Sequence, residues 1–364
     1  MSNVCTTTTA NPSFLTFMPT SQEASVIAPV LERAAASVDT PIDADFSFTL
    51  PAPFELEHGV IHTPLNVQAR ITGPCDAPVI LVLGGISANR HPCEDVNHTG
   101  QAQAGWWPEI VGENRVIDTT EYRVLSFDFL AGETVIPHVS RPNPDPLHAL
   151  PTITPADQAS IAAALCDYLE LPPLYALVGA SYGGMIGLNF AQRFPEKLER
   201  LIVLCASHRA HPMGVAWRSI QRKIVQFGLD TDQPDRALSL ARELGMTTYR
   251  TAEEFSNRFA SKTEVKTYLE NRGQEFIGRM TPARYLMLSE SIDHHAVDPQ
   301  AISVPTAVIG FRQDQLVPVA DLHQLTQDLP HLTHFFESDS LYGHDAFLKE
   351  ISFLNHALSQ SLKP

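Results

Sequence analysis

Cysteine is scarce in this chain, and that scarcity limits what the protein can be. The five cysteines among 364 residues are scattered, and no two of them form a C-x-x-C pair. A sparse, odd set of this kind does not fit the disulfide framework of a small secreted domain, and it does not fit a zinc site. It indicates reduced thiols, so we expect a cytoplasmic protein without a metal.

Long apolar runs and excess positive charge are also missing. No stretch reaches the roughly 18 consecutive apolar residues that a membrane span needs. The 25 lysines and arginines face 41 aspartates and glutamates, and the net charge of −16 argues against nucleic acid and anionic membranes as partners. Residues 1–40 lack the basic start and the apolar core of a signal peptide, and we interpret them as a flexible extension.

What the chain does have is an alternation of short apolar runs and helical patterns. Apolar runs at Val79–Leu83, Leu174–Val178 and Val304–Ile309 are typical of buried parallel strands. Helical patterns cover Ile153–Tyr168 and, at the end of the chain, Asp345–Leu362. This alternation predicts an α/β fold with a mainly parallel sheet and helices on both faces.

One block interrupts the alternation. Residues 206–297 contain five helical patterns and no convincing strand. We interpret this block as a helical lid inserted into a core formed by residues 41–205 and 298–364. A lid of this size, between two core strands, is expected to cover an active site.

The motif that carries the most chemistry is G-x-S-x-G, centred on Ser181. It follows a predicted strand and precedes a predicted helix, which is the setting of a nucleophile elbow. Gly179 and Gly183 lack a Cβ, so strand and helix can approach closely around the serine. The start of the helix points backbone N–H groups at any oxyanion that forms there.

A serine nucleophile needs a histidine as base and an acid that orients it, both on loops after late strands. Asp314 follows the predicted strand Val304–Ile309, and His344 lies between the last strand and the last helix. Asp339 is the alternative acid, because its loop also leads to His344. Together Ser181, Asp314 and His344 form the predicted catalytic triad.

The backbone N–H groups of Tyr182 and Ile86 are the predicted oxyanion donors. Tyr182 follows the nucleophile, and Ile86 lies in the loop after Val79–Leu83. The two glycines before Ile86 allow the backbone to turn inward, although a plain glycine turn would show the same residues.

At this point the chain resembles the homoserine O-acetyltransferase/O-succinyltransferase family of the α/β-hydrolase superfamily. The similarity extends over about residues 78–350 and includes elements more specific than the elbow. The matching segments are Gly105-Trp106-Trp107, Ser181–Met185, Ala241–Gly245 with Thr248–Arg250, Asp314–Pro318 and Gly343–Leu348.

The resemblance implies an α/β-hydrolase fold and an enzyme of methionine biosynthesis. The implied reaction moves an acyl group from succinyl-CoA or acetyl-CoA to the hydroxyl of L-homoserine through an acyl-serine intermediate, with acyl-CoA as co-substrate and no bound cofactor. In that reaction Arg242 and Tyr249 would hold the carboxylate of homoserine, and Asp345 would hold its amino group. The family also implies a homodimer that associates through the lids.

Two loops depart from the family pattern and leave the substrates open. Residues 128–135 replace a Gly-Ser-Thr-Gly-Pro stretch, and residues 84–91 form an unusual oxyanion loop. Arg90 either pairs with the free carboxylate of a succinyl group or is a solvated loop arginine. Serine is an alternative acceptor. An esterase, a thioesterase and a partner-binding protein are alternative functions on the same scaffold.

A local basic segment bears on the donor. Residues 205–229 carry four cationic side chains and no acid within an acidic protein. Arg218 and Arg222 are four residues apart and share one helix face. They are either a phosphate-attracting rim for coenzyme A or a solvated helix surface.

Overall fold

The computed structural model describes residues 42–96, 102–140 and 150–363, so the extension predicted for residues 1–40 lies outside the described residues. The described strands are, in chain order, β1 (Ile42–Leu50), β2 (Phe54–Leu56), β3 (Gly59–Ile61), β4 (Leu65–Gly73), β5 (Val79–Leu83), β6 (Asp95–Val96), β7 (Ala102–Gln103), β8 (Val111–Gly112), β9 (Ile117–Asp118), β10 (Arg123–Phe127), β11 (Val139–Ser140), β12 (Ala176–Ala180), β13 (Leu201–Leu204), β14 (Thr306–Phe311) and β15 (Leu332–Ser338).

Eight of these strands form the central sheet, in the order β1-β4-β10-β5-β12-β13-β14-β15. The β1–β4 and β4–β10 pairs are antiparallel, and every later pair in the sheet is parallel. The central strands are continuous apolar runs because both faces of the sheet are covered, and every residue of β5, β12, β13 and β14 is buried. The predicted mainly parallel α/β fold is confirmed.

The described α-helices are α1 (Pro155–Tyr168), α2 (Tyr182–Arg193), α3 (Pro212–Asp230), α4 (Pro234–Tyr249), α5 (Ala252–Arg258), α6 (Lys262–Ile277), α7 (Pro282–Asp293), α8 (Val319–Asp328) and α9 (Ile351–Ser361). Among the described residues, none of these helices is both long and apolar enough to cross a membrane. Helix α1 begins with a capping box, in which the Thr154 hydroxyl accepts from Asp157 N and the Asp157 carboxylate accepts from Thr154 N at 2.8 Å.

Five helices, α3–α7, follow one another between β13 and β14, in the block that the sequence predicts to be helical. Apolar side chains of these helices pack against one another and against the core, and Val225, Leu238, Phe276 and Met287 are among those buried. Their inner surface faces the loops at the carboxyl ends of the sheet strands, where the side chains of the site converge.

The end of the chain differs from the prediction of one helix over Asp345–Leu362. Residues Gly343–Leu348 form a 3₁₀ helix, and α9 begins only at Ile351. The Phe347 carbonyl accepts a hydrogen bond from the indole N–H of the buried Trp107 at 2.9 Å. Lys349 N donates to Ala346 O at 3.0 Å, three residues back, so the chain keeps the 3₁₀ pattern up to Lys349.

Candidate active site

Ser181 lies at a sharp turn between β12 and α2. Its backbone has φ 55° and ψ −116°, a conformation that residues with a side chain seldom adopt. Two hydrogen bonds hold the turn: Ser181 N donates to Leu204 O at 2.8 Å, and Gly183 N donates to Gly84 O at 2.8 Å. The surrounding sheet therefore sustains the strain that presents the serine hydroxyl.

The two glycines of the motif are required by space. A Cβ on Gly179 would lie 2.3 Å from Gly183 O, and a Cβ on Gly183 would lie 2.2 Å from Leu83 O. No side chain fits at such distances, because the opposing atoms belong to the backbone and cannot rotate away. The two glycines of the motif are therefore needed for the close approach of β5, β12 and α2.

The structure brings Ser181, His344 and Asp314 together. Ser181 Oγ lies 2.8 Å from His344 Nε2, and His344 Nδ1 lies 2.7 Å from Asp314 Oδ2. Asp314 follows β14, and its other oxygen accepts from Leu316 N at 2.9 Å and Val317 N at 3.0 Å. The acid is thereby fixed in place from one side while it orients the imidazole from the other.

The alternative acid, Asp339, does not reach the histidine. Its side chain is exposed and accepts hydrogen bonds from Arg312 and Gln313. The histidine loop is aimed by Gly343, which has φ 56° and where a Cβ would lie 2.5 Å from Tyr249 O. The geometry therefore favours Asp314 as the partner of His344.

The electrostatic setting of His344 suits a base. Burial of the imidazole opposes its protonation, but the charge and hydrogen bond of Asp314, aided by the nearby Asp345 carboxylate, outweigh burial. The net result is a pKa of His344 above its ordinary value of 6.5. A raised pKa makes the imidazole a stronger proton acceptor when it is neutral.

The two predicted oxyanion donors flank Ser181. Tyr182 is the next residue in the chain, and Ile86 lines the same cavity as the serine. The intervening loop is close, since a Cβ on Gly85 would lie 3.9 Å from Ser181 Cβ. Within the described ranges, neither Tyr182 N–H nor Ile86 N–H donates to another protein group. Both are thus available to a ligand oxygen.

Ser181 and His344 open into a cavity of about 430 Å³, which we name the catalytic cavity. Its wall is strongly cationic for a protein with a net charge of −16. The charged residues of the wall, apart from histidine, are Arg209, Arg218, Arg242, Arg250, Arg272, Arg279 and Lys349 on the basic side and Asp321 and Asp345 on the acidic side. The cavity is therefore suited to anionic ligands.

Three side chains predicted to hold the acceptor line this cavity. The Arg242 guanidinium carbon lies 5.2 Å from the ring centroid of Tyr249 and 4.9 Å from that of Phe276. No carboxylate of a described residue forms an ion pair with Arg242, so its guanidinium is free for a ligand. Asp345 differs, because its Oδ2 accepts from Arg250 Nε at 2.8 Å.

Arg90 is not brought to the catalytic cavity. Its Nε donates to Asp45 at 3.0 Å and its Nη1 donates to Asp128 at 2.7 Å. Two carboxylates thus engage its guanidinium, and it is absent from the cavity wall. Neither interpretation of Arg90 offered by the sequence describes this arrangement, since both partners come from distant parts of the chain.

Arg218 and Arg222 also have an unforeseen partner. Arg218 Nε and Arg222 Nη2 each lie 2.6 Å from the Asp293 carboxylate of α7. Asp293 is mostly buried, so this pairing ties α3 to α7. Like Arg90, residues 128–135, which depart from the family pattern, do not line the catalytic cavity.

Sequence reasoning missed several cationic residues of the wall. Arg250 belongs to a segment already singled out for its similarity to the family, which was a usable signal. Arg272 and Lys349 belong to no motif and lie far apart in the chain, so no local pattern could reveal that they share a cavity.

Comparison with known proteins agrees with the fold. The sheet, the elbow and the order of Ser181, Asp314 and His344 define an α/β-hydrolase, and a family model described as the α/β hydrolase fold matches residues 78–351. Esterase E22, a solved structure, superposes with a TM-score of 0.76 at 19% identity, over 88% of this chain and 100% of that chain. Identity at that level speaks for the fold alone.

The chain belongs to the homoserine O-acetyltransferase/O-succinyltransferase family within that superfamily. It is 38% identical to homoserine O-succinyltransferase of Xanthomonas campestris pv. campestris, over 82% of this chain and 79% of the relative. It is 28% identical to serine O-succinyltransferase of Frateuria aurantia, over 88% of this chain and 99% of the relative. The resemblance stated from the motifs is confirmed.

The geometry predicts that a fluorophosphonate probe modifies Ser181. Asp314→Asn should slow labelling by about 10³- to 10⁴-fold, because the imidazole loses the partner that orients it and stabilises its charge. The rate should fall as the pH drops through the raised pKa of His344, since only the neutral imidazole accepts the serine proton. Intact-mass spectrometry at timed intervals measures the rate.

Asp339→Asn is the matched control, because it removes the exposed alternative acid. It should leave the labelling rate within about twofold of the unmodified protein. Equal slowing by both substitutions would contradict the assignment of Asp314.

Proposed function

We propose that this protein is a homoserine O-acyltransferase of methionine biosynthesis, which moves a succinyl group from succinyl-CoA to the hydroxyl of L-homoserine. The observation that carries the proposal is the placement of two sets of side chains in one cavity. Ser181 and His344 lie 2.8 Å apart at its wall, and Arg242 faces the same space without a carboxylate partner among the described residues. A hydrolase has no need for a second, carboxylate-binding group.

In the first half-reaction, His344 Nε2 takes the proton of Ser181 Oγ as that oxygen attacks the thioester carbonyl. The carbonyl oxygen becomes an oxyanion, which the N–H groups of Ile86 and Tyr182 stabilise. The C–S bond then breaks, and the sulfur leaves as CoA thiol with the proton from His344. Ser181 is left as an acyl ester, and Asp314 stabilises the imidazolium throughout.

In the second half-reaction, the acceptor hydroxyl takes the place of CoA. His344 removes the hydroxyl proton as the oxygen attacks the acyl ester, and the same two N–H groups hold the new oxyanion. The bond to Ser181 Oγ breaks, His344 returns the proton to that oxygen, and the O-acyl amino acid leaves. The overall sequence is ping-pong, with one site used twice.

The acceptor is a zwitterion, and the cavity supplies both signs of charge. Arg242 can grip a carboxylate through two parallel N–H donors, and Tyr249 lies beside both Arg242 and the His344 ring. Asp345 would receive the amino group. Because Arg250 already donates to Asp345, that carboxylate is held in position before the acceptor arrives.

The acyl donor and the acceptor each have a named alternative. The excess of basic residues in the cavity wall favours an acyl group with a free carboxylate, and the 38% identical relative is a succinyltransferase. Acetyl-CoA is the alternative donor. Serine is the alternative acceptor, since the Frateuria relative acts on serine and is matched along 99% of its length.

We also propose that the protein is a cytoplasmic homodimer. Helix α3 carries Met213, Ile220 and Phe227 at intervals of seven residues, and these side chains are 51%, 51% and 69% exposed. Leu240 on the neighbouring α4 is exposed as well. An apolar stripe with the seven-residue spacing of a helix–helix seam matches a second copy of itself across a twofold axis. We refer to these four residues as the apolar stripe.

The reaction itself is tested by incubating the protein with succinyl-CoA or acetyl-CoA and either homoserine or serine, while a thiol reagent reports free CoA. We expect fast release only when homoserine is present, with succinyl-CoA as the better donor. Ser181→Ala should reduce turnover by at least about 10³-fold, because the variant has no hydroxyl oxygen at residue 181 to form the acyl ester. Release that ignores the amino acid would instead identify a thioesterase.

Arg242→Gln tests the grip on the acceptor. Loss of a charge-assisted pair should raise the KM for homoserine about 10- to 100-fold, in line with roughly 1.5–3 kcal/mol for such a bond. Arg236→Gln is the matched control on the same helix, because Arg236 is exposed and its hydrogen bond goes only one turn back, to Gln233. An unchanged KM in the Arg242 variant would refute the assignment.

The dimer is tested on the apolar stripe. The double variant Ile220→Glu/Phe227→Glu should halve the mass measured by size-exclusion chromatography with light scattering, because each charge would be buried opposite its symmetry copy. Leu332→Glu, at an exposed leucine of β15, should leave the mass unchanged. A monomeric unmodified protein would contradict the proposal.

A further inference from the structure

A second cavity, of about 450 Å³, adjoins the catalytic cavity. The two cavities share four wall residues, Arg250, Tyr268, Arg272 and Lys349. We call these four residues the gateway. Ser181 and the gateway line one cavity and the gateway also lines the next, so only these four side chains lie between the space at the nucleophile and the second cavity.

The second cavity has a charge opposite to that of the whole chain. Four cationic side chains line it, namely Arg250, Arg258, Arg272 and Lys349, and the one carboxylate of the wall is Glu254. Arg250 also pairs with Asp345, and Arg272 pairs with Glu275. Lys349 is exposed, and no carboxylate in the described ranges lies within ion-pair distance of it. In a chain with a net charge of −16, such clustering creates a local site for an anion with several charges.

Glu254 pairs with two of these cations through one carboxylate oxygen, and its other oxygen has no hydrogen-bond partner among the described residues. Its Oε1 lies 3.1 Å from Arg258 Nη1 and 3.6 Å from Arg250 Nη1. Its Oε2 is buried and receives no hydrogen bond from the described residues, although a buried carboxylate oxygen normally has a partner. Glu254 therefore acts here through Oε1, which orients Arg250 and Arg258 at the wall of the second cavity.

The wall also offers aromatic surface. Tyr268 and Tyr342 line the second cavity, and the Arg258 guanidinium carbon lies 4.3 Å from the ring centroid of Tyr268. A flat heteroaromatic ring can stack on such rings and on guanidinium planes. Phosphates and a flat ring occur together in a phosphorylated adenine nucleotide.

We propose that the second cavity binds the nucleotide end of the acyl donor, with its phosphates on Arg258 and Lys349, while the donor's narrow arm passes the gateway toward Ser181. The proposal rests on the acyl-CoA-dependent function above. It assigns the phosphates to a different surface from Arg218 and Arg222, which both pair with Asp293. Arg258 also has a carboxylate partner, Glu254, but Lys349 in the same wall has none among the described residues.

The test uses Arg258→Gln/Lys349→Gln, which removes two positive charges and leaves a polar side chain at each position. Titration calorimetry with adenosine 3′,5′-bisphosphate should show a Kd raised at least about tenfold, as expected for losing charge-assisted contacts. Steady-state kinetics should compare two thioesters of the same acyl group, the CoA ester and the N-acetylcysteamine ester. In the variant, kcat/KM for the CoA ester should fall relative to kcat/KM for the short ester by a similar factor. The short ester has no phosphates for the second cavity to hold.

Arg115→Gln/Lys262→Gln is the matched control, since both side chains are exposed and lie outside both cavities. It removes the same net charge and should change neither quantity by more than about twofold. Arg209→Gln tests the alternative that the phosphates bind the cationic wall of the catalytic cavity instead.

A Kd and a kinetic ratio that stay within twofold in the Arg258/Lys349 variant would overturn the proposal, as would an effect confined to Arg209→Gln. Circular dichroism of the variant separates loss of binding from loss of fold, and Lys349→Gln alone, at an exposed side chain, repeats the test if the double variant unfolds. If the unmodified protein turns over neither ester, the proposed function fails, while bisphosphate binding still decides whether this site exists.

Discussion

The close approach of three backbone segments at the elbow is the constraint on which the site depends. Gly179 faces Gly183 O, and Gly183 faces Leu83 O, at distances that leave no room for a side chain. Because β5, β12 and α2 lock together there, Ser181 is held in a backbone conformation that it would not adopt freely. The oxyanion loop follows β5 directly, so the same contact places Ile86 beside the nucleophile.

The charges of the molecule are distributed to serve two different ends. Arg90, Arg218 and Arg222 pair with carboxylates from distant segments and join parts of the fold, such as α3 and α7. Arg242 and Lys349 have no such partner among the described residues and face open cavities. The lack of a carboxylate partner in the described part of the chain leaves the charges of Arg242 and Lys349 available to a ligand, whereas the ion pairs of Arg90, Arg218 and Arg222 hold parts of the fold together.

The core strands and the candidate triad can be located from the sequence because local patterns mark each of them. Buried strands such as β5 and β13 are unbroken apolar runs, and Asp314 follows a strand end directly. The elbow and the His344 loop each contain the glycine that the turn requires. No local sequence pattern marks the partners of an ion pair. Arg90 meets Asp45 and Asp128 only after folding, and the hydrogen bond from Trp107 to Phe347 joins residues 240 apart in the chain.

The helical insertion explains how one triad can favour transfer over hydrolysis. An acyl-serine is attacked by any oxygen nucleophile that His344 can deprotonate, and water is always present. Helix α4 supplies Arg242 and Tyr249 to the wall that also holds His344. In the proposed reaction, an acceptor with a carboxylate would gain binding energy there that water cannot obtain. The insertion, rather than the triad, is therefore the part of the chain where we expect a change from transferase to hydrolase to arise.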